Sequence, residues 1–375
     1  MREILTTHVG SLPRGEELVP LLLARDHGEP HDAVAFERLV QAAVEDAVAK
    51  QEAAGVSIVS DGELGKVGYS TYIKDRLAGF GGHVARKPAL DLAPLPELRR
   101  KLALIMGQQE FVRASCVGPV RLRNLDPCRE DIRRFARALA GRSVRGFLNA
   151  ASPGLITAFQ PNAYYASHEA YLGDLVSAMR PEYAAIAASG VQLQLDCPGL
   201  AMARHTGYQE LSEDEFLKIA AANVEALNAA TADIAPEKMR MHVCWGNYEG
   251  PHDCDIPIER VLGLILRARP ATILFEAANA RHEHEWQVWA AAKIPDDKVL
   301  APGLIDTRSN CVEHPELIAQ RLERFAAIVG VERVIASTDC GFGTFAGYGK
   351  IDPAVTWKKL RALRAGADLA AARLH

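Results

Sequence analysis

The sequence predicts an α/β chain that closes as a (β/α)8 (TIM) barrel, one domain over residues 1–375 with an inserted hairpin excursion at about 69–124. Three observations carry this prediction. Eight short apolar runs alternate with helix-period segments or long loops, the pattern of parallel strands joined by right-handed crossovers. No Gly-x-Gly-x-x-Gly follows the first run and no phosphate-cradling lysine loop occurs, so the open nucleotide-binding sheet lacks its signature. Residues able to ligate or titrate fall at the C-terminal ends of the runs, which in a barrel all face one mouth.

The elements follow in order. Ile4 to Gly10 reads as the first strand, entered directly from Met1-Arg2-Glu3 with no signal-peptide apolar region, and Ser11-Leu12-Pro13-Arg14 turns into a region of helix. Apolar positions recur at helical spacing from Phe36 to Ala54, Gly55 stops that helix, and Val56 to Asp61 is the second strand. Tyr69 to about Asn124 is irregular, and its Phe111-to-Val120 run with Arg121-Leu122-Arg123 predicts the hairpin. Strands at Phe147–Ala151, Val191–Asp196, the His242 run, Thr272–Glu276, Val299–Asp306 and Val334–Cys340 follow. The helices between and after them cover about 170–188, 214–231, 256–267, 284–292 and 315–328, with a last one from near Pro353.

Composition excludes several classes. A hydrophobic share of 49% with 24% charged residues suits a globular enzyme with a large core, and a net charge of −4 lacks the basic field that nucleic acid requires. No apolar run is long enough to span a membrane. Seven cysteines, an odd number over a long chain, do not form a disulfide framework; a reducing cytoplasm is expected, with metal or catalytic use open. The quaternary state stays open, a homo-oligomer included.

The chemistry centres on Met239-Arg240-Met241-His242-Val243-Cys244-Trp245-Gly246-Asn247. Residues two apart in a strand share a face, so His242 and Cys244 present imidazole and thiolate side by side. The other strand ends carry Gly10-Ser11, Glu63, Asp196, Glu276, Asp306 and Cys340. Two sulfurs, one imidazole and one carboxylate, from Cys244, Cys340, His242 and Glu276, suit a tetrahedral Zn2+. His282 and His284 with Glu283 and Glu285 resemble a metal cluster by composition, but helical spacing separates them, which predicts a solvated helix start. Cys116, Cys128, Cys254 and Cys311 read as unpaired thiols.

These residues carry a family resemblance over nearly the whole chain. His242-Val243-Cys244, Glu276 and Thr338-Asp339-Cys340-Gly341 resemble the zinc ligands of the catalytic domain of the cobalamin-independent methionine synthase family. Thr6 to Pro13 resembles its first-strand loop, Gly62-Glu63 its homocysteine-binding glutamate, Leu193 to Asp196 its amino-group-binding aspartate, and Pro302 to Asp306 its seventh strand. The resemblance implies a zinc enzyme that alkylates a small-molecule thiol acceptor from an alkyl donor, methyl being the expected cargo. Glu63 and Asp196 would hold an ammonium, and Ser11 with the amides around Gly10 a carboxylate. Trp245, Asn247, Tyr248, His252 and Asp253 form the loop after the first two ligands, where Trp245 and Asn247 are expected at the substrate.

Departures bear on the donor. Phe159 stands where the family stacks a tryptophan on the pterin, Met202 where it has an acid, and Cys197 where it has a glutamate. Arg308, two residues after Asp306, replaces a histidine thought to protonate the leaving pterin nitrogen. Arginine is a poor acid near neutral pH and a good anion clamp. His8, at the mouth, is a second candidate for the acid. The expected donor is therefore not polyglutamylated methylfolate. Three alternatives stand beside this reading: an epoxide:thiol transferase using the sulfonate thiol coenzyme M, a metal-free decarboxylase like that of uroporphyrinogen, and a non-catalytic zinc barrel.

Overall fold

A computed structural model of the chain describes residues 3–85, 87–106 and 112–374; Phe111, which opens the expected Phe111-to-Val120 run, lies outside them, as do Met1 and Arg2 ahead of the first expected strand. In chain order the strands are β1 (Ile58–Ser60), β2 (Leu77–Gly81), β3 (Ser115–Leu122), β4 (Arg145–Ala151), β5 (Gln192–Asp196), β6 (Met239–Val243), β7 (Thr272–Phe275), β8 (Val299–Ile305) and β9 (Ser337–Thr338). Seven of them form one sheet in the order β1-β4-β5-β6-β7-β8-β9, with every pairing parallel.

The first expected strand closes the ring with minimal pairing. Thr6 bridges Ala336 and Thr7 bridges Ile58, both in parallel. The Thr7 N–H donates to Ala336 O at 2.9 Å and the Ile58 N–H to Thr6 O at 3.0 Å. The Thr6 and Thr7 hydroxyls add bonds to Gly55 O and Ile58 O, so side chains complete what the short ladder leaves undone. This gives the eight-membered parallel barrel that the alternation predicts.

Helices cover the outside where the 3.6-residue period places them. Asp32 caps the helix Ala33–Ala53 by accepting from the Val34 and Ala35 N–H groups, and Gly55 leaves it at φ 80°, a left-handed turn that glycine makes without strain. Ser212 and Glu215 form a reciprocal capping box at the start of Glu213–Ala230. The helices His168–Ala188, Pro315–Val329 and Pro353–Leu374 lie within a few residues of expectation. The helix Asp126–Leu139 was not expected. Its charged face masks an apolar stripe of Cys128, Phe135 and Ala138, and Arg134 anchors it to Glu37 at 2.7 Å.

The excursion is an antiparallel pair, β2 with β3, registered Leu77 opposite Leu122 and slipping after Ala78. It is no tight hairpin, because its connection carries the helix Pro96–Met106. Among the described residues no helix is long and apolar enough to cross a membrane.

Candidate active site

Strand periodicity builds the site. On β6, Arg240 and His242 point into the barrel; on β5, Gln194 and Asp196 do so; on β4, Asn149 does. Register sets Asp196 opposite His242, with His242 Nδ1 3.8 Å from Asp196 Oδ1. Arg240 fills the barrel floor below them, donating to Thr7 Oγ1 and His8 O with its guanidinium 3.9 Å from the Phe147 ring centroid.

At the mouth the side chains of His242, Cys244 and Cys340 converge, their ligand atoms all within 4.8 Å of one another. Cys244 Sγ and Cys340 Sγ are 3.8 Å apart. A disulfide needs about 2.05 Å, whereas two Zn–S bonds of about 2.3 Å at a tetrahedral angle place their sulfurs about 3.8 Å apart. His242 Nε2 is buried without a hydrogen-bond partner, the state of an imidazole nitrogen meant for a ligand. Burial lowers the His242 pKa to about 4, which keeps the ring neutral and able to coordinate. The Cys244 thiol is pushed up, first by its hydrogen bond with Cys340, then by burial and by the Cys340 and Glu276 charges. Two thiols and a neutral imidazole converging within bonding reach of one point are the donor set of a soft or borderline metal ion, so the three residues fit one.

Glu276 stands beside the trio, not among its converging atoms. Its Oε1 accepts the Trp245 N–H at 2.8 Å and its Oε2 the Asn279 amide at 2.7 Å. Asp339 organises this neighbourhood by accepting the N–H groups of Ala277, Ala278 and Asn279 at 2.8, 2.9 and 2.9 Å. Its close packing on β8 requires Gly303, where a Cβ would lie 2.1 Å from Asp339 Oδ1.

A second pair of groups meets the trio in one cavity of about 40 Å3, lined among others by Ser11, Glu63, Asp196, His242, Cys244 and Cys340. Asp196 accepts from the Asn149 amide at 3.1 and 3.3 Å and from Gln194 at 3.1 Å. Burial raises its pKa to about 6. Glu63 is raised further, to about 8, first by burial and then by Asp196. Glu63 Oε2 is buried without a partner, and its backbone is held at φ 56°, an uncommon conformation for a residue with a side chain. Arg14 fixes that turn by donating to Glu63 O at 3.0 Å and Lys66 O at 3.0 Å. Lys66, whose Nζ donates to Asn149 O at 3.0 Å, offsets these upward shifts only in part. Two buried carboxylates thus face a cavity whose described lining contains no lysine or arginine.

An outer cavity of about 370 Å3 adjoins the inner one through the shared walls Tyr69, Met202, Asn247 and Thr344. Phe159 lines it, edge-on to Tyr69 at 5.5 Å, together with Arg113, Tyr248 and Phe345. Asn247 separates the compartments and is braced by Gly341 O, Thr344 Oγ1 and Thr307 Oγ1 at 2.8, 3.0 and 3.2 Å.

Other expected site residues lie elsewhere. Gly10 is a packing requirement: at φ 147° it abuts Asn149, whose Oδ1 would be 2.5 Å from an added Cβ. His8 is buried in the barrel, its Nε2 2.7 Å from Gln51 Oε1, and lines neither cavity. Trp245 is also interior, its indole donating to Ile256 O at 2.6 Å; its role at the site is the backbone bond to Glu276. Arg308 lines neither cavity but a side pocket of about 20 Å3 that shares the walls Asn247 and Thr344 with both, and its N–H and Nε bond Asp306 Oδ1 at 3.0 and 3.3 Å. His282 and Glu285 are buried, correcting the solvated helix start: Glu285 accepts the Ile258 N–H at 2.9 Å. Asn149, Gln194 and Lys66 were missed. The available signal was a polar residue at an inward position of an apolar strand, which Asn149 and Gln194 both are.

Comparison with known proteins agrees with this geometry. The family described as "Cobalamin-independent synthase, Catalytic domain" matches residues 108–356. The methionine synthase of Thermococcus kodakarensis is 24% identical over 340 residues, 90% of this chain and 86% of that protein. A 5-methyltetrahydropteroyltriglutamate–homocysteine methyltransferase of Synechococcus sp. is 24% identical over 361 residues; the match covers 90% of this chain and only 40% of that longer protein. In fold, the chain resembles a B12-independent methionine synthase from Shewanella sp. solved with selenomethionine, at TM-score 0.76 and 19% identity over 100% of this chain and 99% of that one. A putative vitamin-B12-independent methionine synthase from Listeria monocytogenes superposes at TM-score 0.67 with 17% identity, covering 98% and 99% of the two chains. With its parallel barrel and a family match across most of its length, the chain belongs to the cobalamin-independent synthase catalytic-domain family.

Proposed function

We propose that the chain is a zinc-dependent S-methyltransferase whose acceptor is homocysteine, working as one catalytic domain over 1–375 in a reducing compartment such as the cytoplasm. The observation that carries this reading is the meeting of the His242–Cys244–Cys340 trio with the Glu63–Asp196 pair in one small cavity. Homocysteine matches both halves, with a sulfur for one end and an ammonium for the other.

Zinc at the trio, with Glu276 as the neighbouring carboxylate, would keep the acceptor thiol deprotonated and nucleophilic at neutral pH, where a free thiol with a pKa of about 8.5 is mostly protonated. The chain's own residues do the rest. Glu63 and Asp196 take the ammonium, which returns both carboxylates to their ionised form, and Asn149 and Gln194 hold Asp196 in place for it. Ser11 borders the same cavity, within reach of the carboxylate end. Fixing both ends aims the sulfur toward the outer cavity, where the donor's methyl group would enter.

The relatives named for homocysteine support the acceptor. The donor we infer to be something other than polyglutamylated methylfolate, because Phe159 and Met202 line the outer cavity where the family resemblance calls for tryptophan and an acid. A sulfonate thiol such as coenzyme M is disfavoured, since two carboxylates and no lysine or arginine line the described inner cavity.

The test is binding. Homocysteine should bind the zinc-loaded protein at least about 100-fold more tightly than 2-mercaptoethanol, which lacks the ammonium, in line with about 1.5–3 kcal/mol per charged hydrogen bond. Equal affinities would refute an amino-acid acceptor.

A further inference from the structure

The atoms on which the proposed acceptor depends are shut off from solvent. Glu63 Oε2 and His242 Nε2 are buried without a hydrogen-bond partner, and Ser11, Glu63, Asp196, His242 and Cys244 are each at most 5% exposed. The inner cavity that these residues border measures about 40 Å3, room for about three waters and not for an amino acid. Homocysteine reaches the trio and the carboxylate pair only if part of the wall moves.

Tyr69, Met202, Asn247 and Thr344 form the wall common to the inner and outer cavities, and three of them are held. Asn247 bonds Gly341 O, Thr344 Oγ1 and Thr307 Oγ1, which also fixes Thr344. Tyr69 packs against the rings of Phe159 and Phe345, 5.5 Å from each centroid. Met202 differs. Its backbone is pinned, since the N–H donates to Cys244 O at 3.1 Å and the carbonyl accepts from the Thr206 hydroxyl at 2.8 Å. Its side chain is buried but unbranched, turns about several bonds and has no strong hydrogen-bonding group to fix it. Gly246 stands beside it without a side chain; an added Cβ there would come within 3.5 Å of Met202 Sδ.

We propose that Met202 is the gate of the acceptor site: its side chain swings into the outer cavity to admit homocysteine from there, and swings back to shut the bound thiol from water. The proposal rests on the acceptor reading above and adds a residue that controls entry instead of affinity. The pinned backbone then has a use. Because the Met202 N–H holds the carbonyl of Cys244, the side chain moves on a fixed support and the gate opens without disturbing the trio. Closing keeps the thiolate desolvated and reactive until the donor arrives.

The test is kinetic. A gate that must open for both entry and exit lowers the association and dissociation rate constants by the same factor and leaves the affinity alone. Homocysteine binding to the purified zinc-loaded protein is followed by stopped flow, with an indicator dye reporting the proton that the thiol releases at the metal. In Met202→Ala both rate constants should rise about 10-fold or more, with Kd changed less than about 3-fold. Met202→Ile, similar in volume but stiff at χ1, should lower both. A rise in the dissociation rate alone marks a lost contact and overturns the proposal, as do unchanged constants in both variants. Faster exchange in Tyr69→Leu but not in Met202→Ala would move the gate to Tyr69 and also overturn it. Parent protein that holds zinc but binds no homocysteine would instead refute the acceptor reading beneath, and the gate with it.

Discussion

Asn149 of β4 reaches across to Asp196 of β5, its amide nitrogen 3.1 Å from Asp196 Oδ2, and the same nitrogen lies 3.0 Å from Val9 O. One side chain therefore ties the first-strand loop to the carboxylate proposed to hold the acceptor. Gly10 is pressed against that side chain. Gly10→Ala should push Asn149 off Asp196, destabilising the fold by roughly 1–3 kcal/mol and weakening homocysteine binding. Thermal unfolding and titration calorimetry on one sample check both effects, and a variant with wild-type values for both would separate Gly10 from the site.

The raised pKa values of Glu63 and Asp196 give a prediction with opposite signs for stability and binding. In the free protein Glu63 keeps its proton up to about pH 8 and Asp196 up to about pH 6. Above the ordinary carboxylate range the folded state binds more protons than the unfolded one. Its stability therefore falls as pH rises toward these values. Glu63→Gln, which cannot ionise, should unfold at a higher temperature than the parent at pH 8.5 and show a smaller gain at pH 5. Ammonium binding requires the ionised pair. The affinity ratio of homocysteine to 2-mercaptoethanol should thus rise between about pH 6 and pH 8 in the parent and be flatter in Glu63→Gln. A flat ratio in the parent would remove the ammonium from this pocket.

Much of this was legible in the sequence, for a physical reason. Parallel strands buried on both faces leave continuous apolar runs, and what interrupts them at their C-terminal ends must face the mouth. His242, Cys244, Cys340, Glu63 and Asp196 announce themselves that way. Less legible were residues whose role depends on an unseen neighbour. His8 and Trp245 sit at strand ends in sequence but turn toward Gln51 and Ile256. Arg308 looks like a free cation until Asp306 is seen beside it. The helix Asp126–Leu139 was hidden by its own charged face, and the His282–Glu285 pair is packed against Trp245, Asp255 and Ile258, all distant in sequence.

Arg308 gives a prediction about the donor side. Because its guanidinium is tied to Asp306 in a side pocket, Arg308→Ala should change homocysteine affinity less than about 3-fold, within the range of substitutions that leave binding contacts untouched. The parent enzyme should turn over 5-methyltetrahydropteroyltriglutamate at less than about 1 per second, below the usual range for enzymes. Rates from about 1 to 10³ per second would contradict the donor reading.

The central claim is that a zinc ion and the acceptor share one site, and zinc content measured together with homocysteine binding tests it most directly. Parent protein loaded with zinc and dialysed should retain about one ion per chain and bind homocysteine, while Cys244→Ser and Cys340→Ser should lose most of the metal and the acceptor binding with it, their folds unchanged by circular dichroism. Full zinc occupancy in either serine variant, or parent-like homocysteine affinity in protein stripped of metal, would contradict the account.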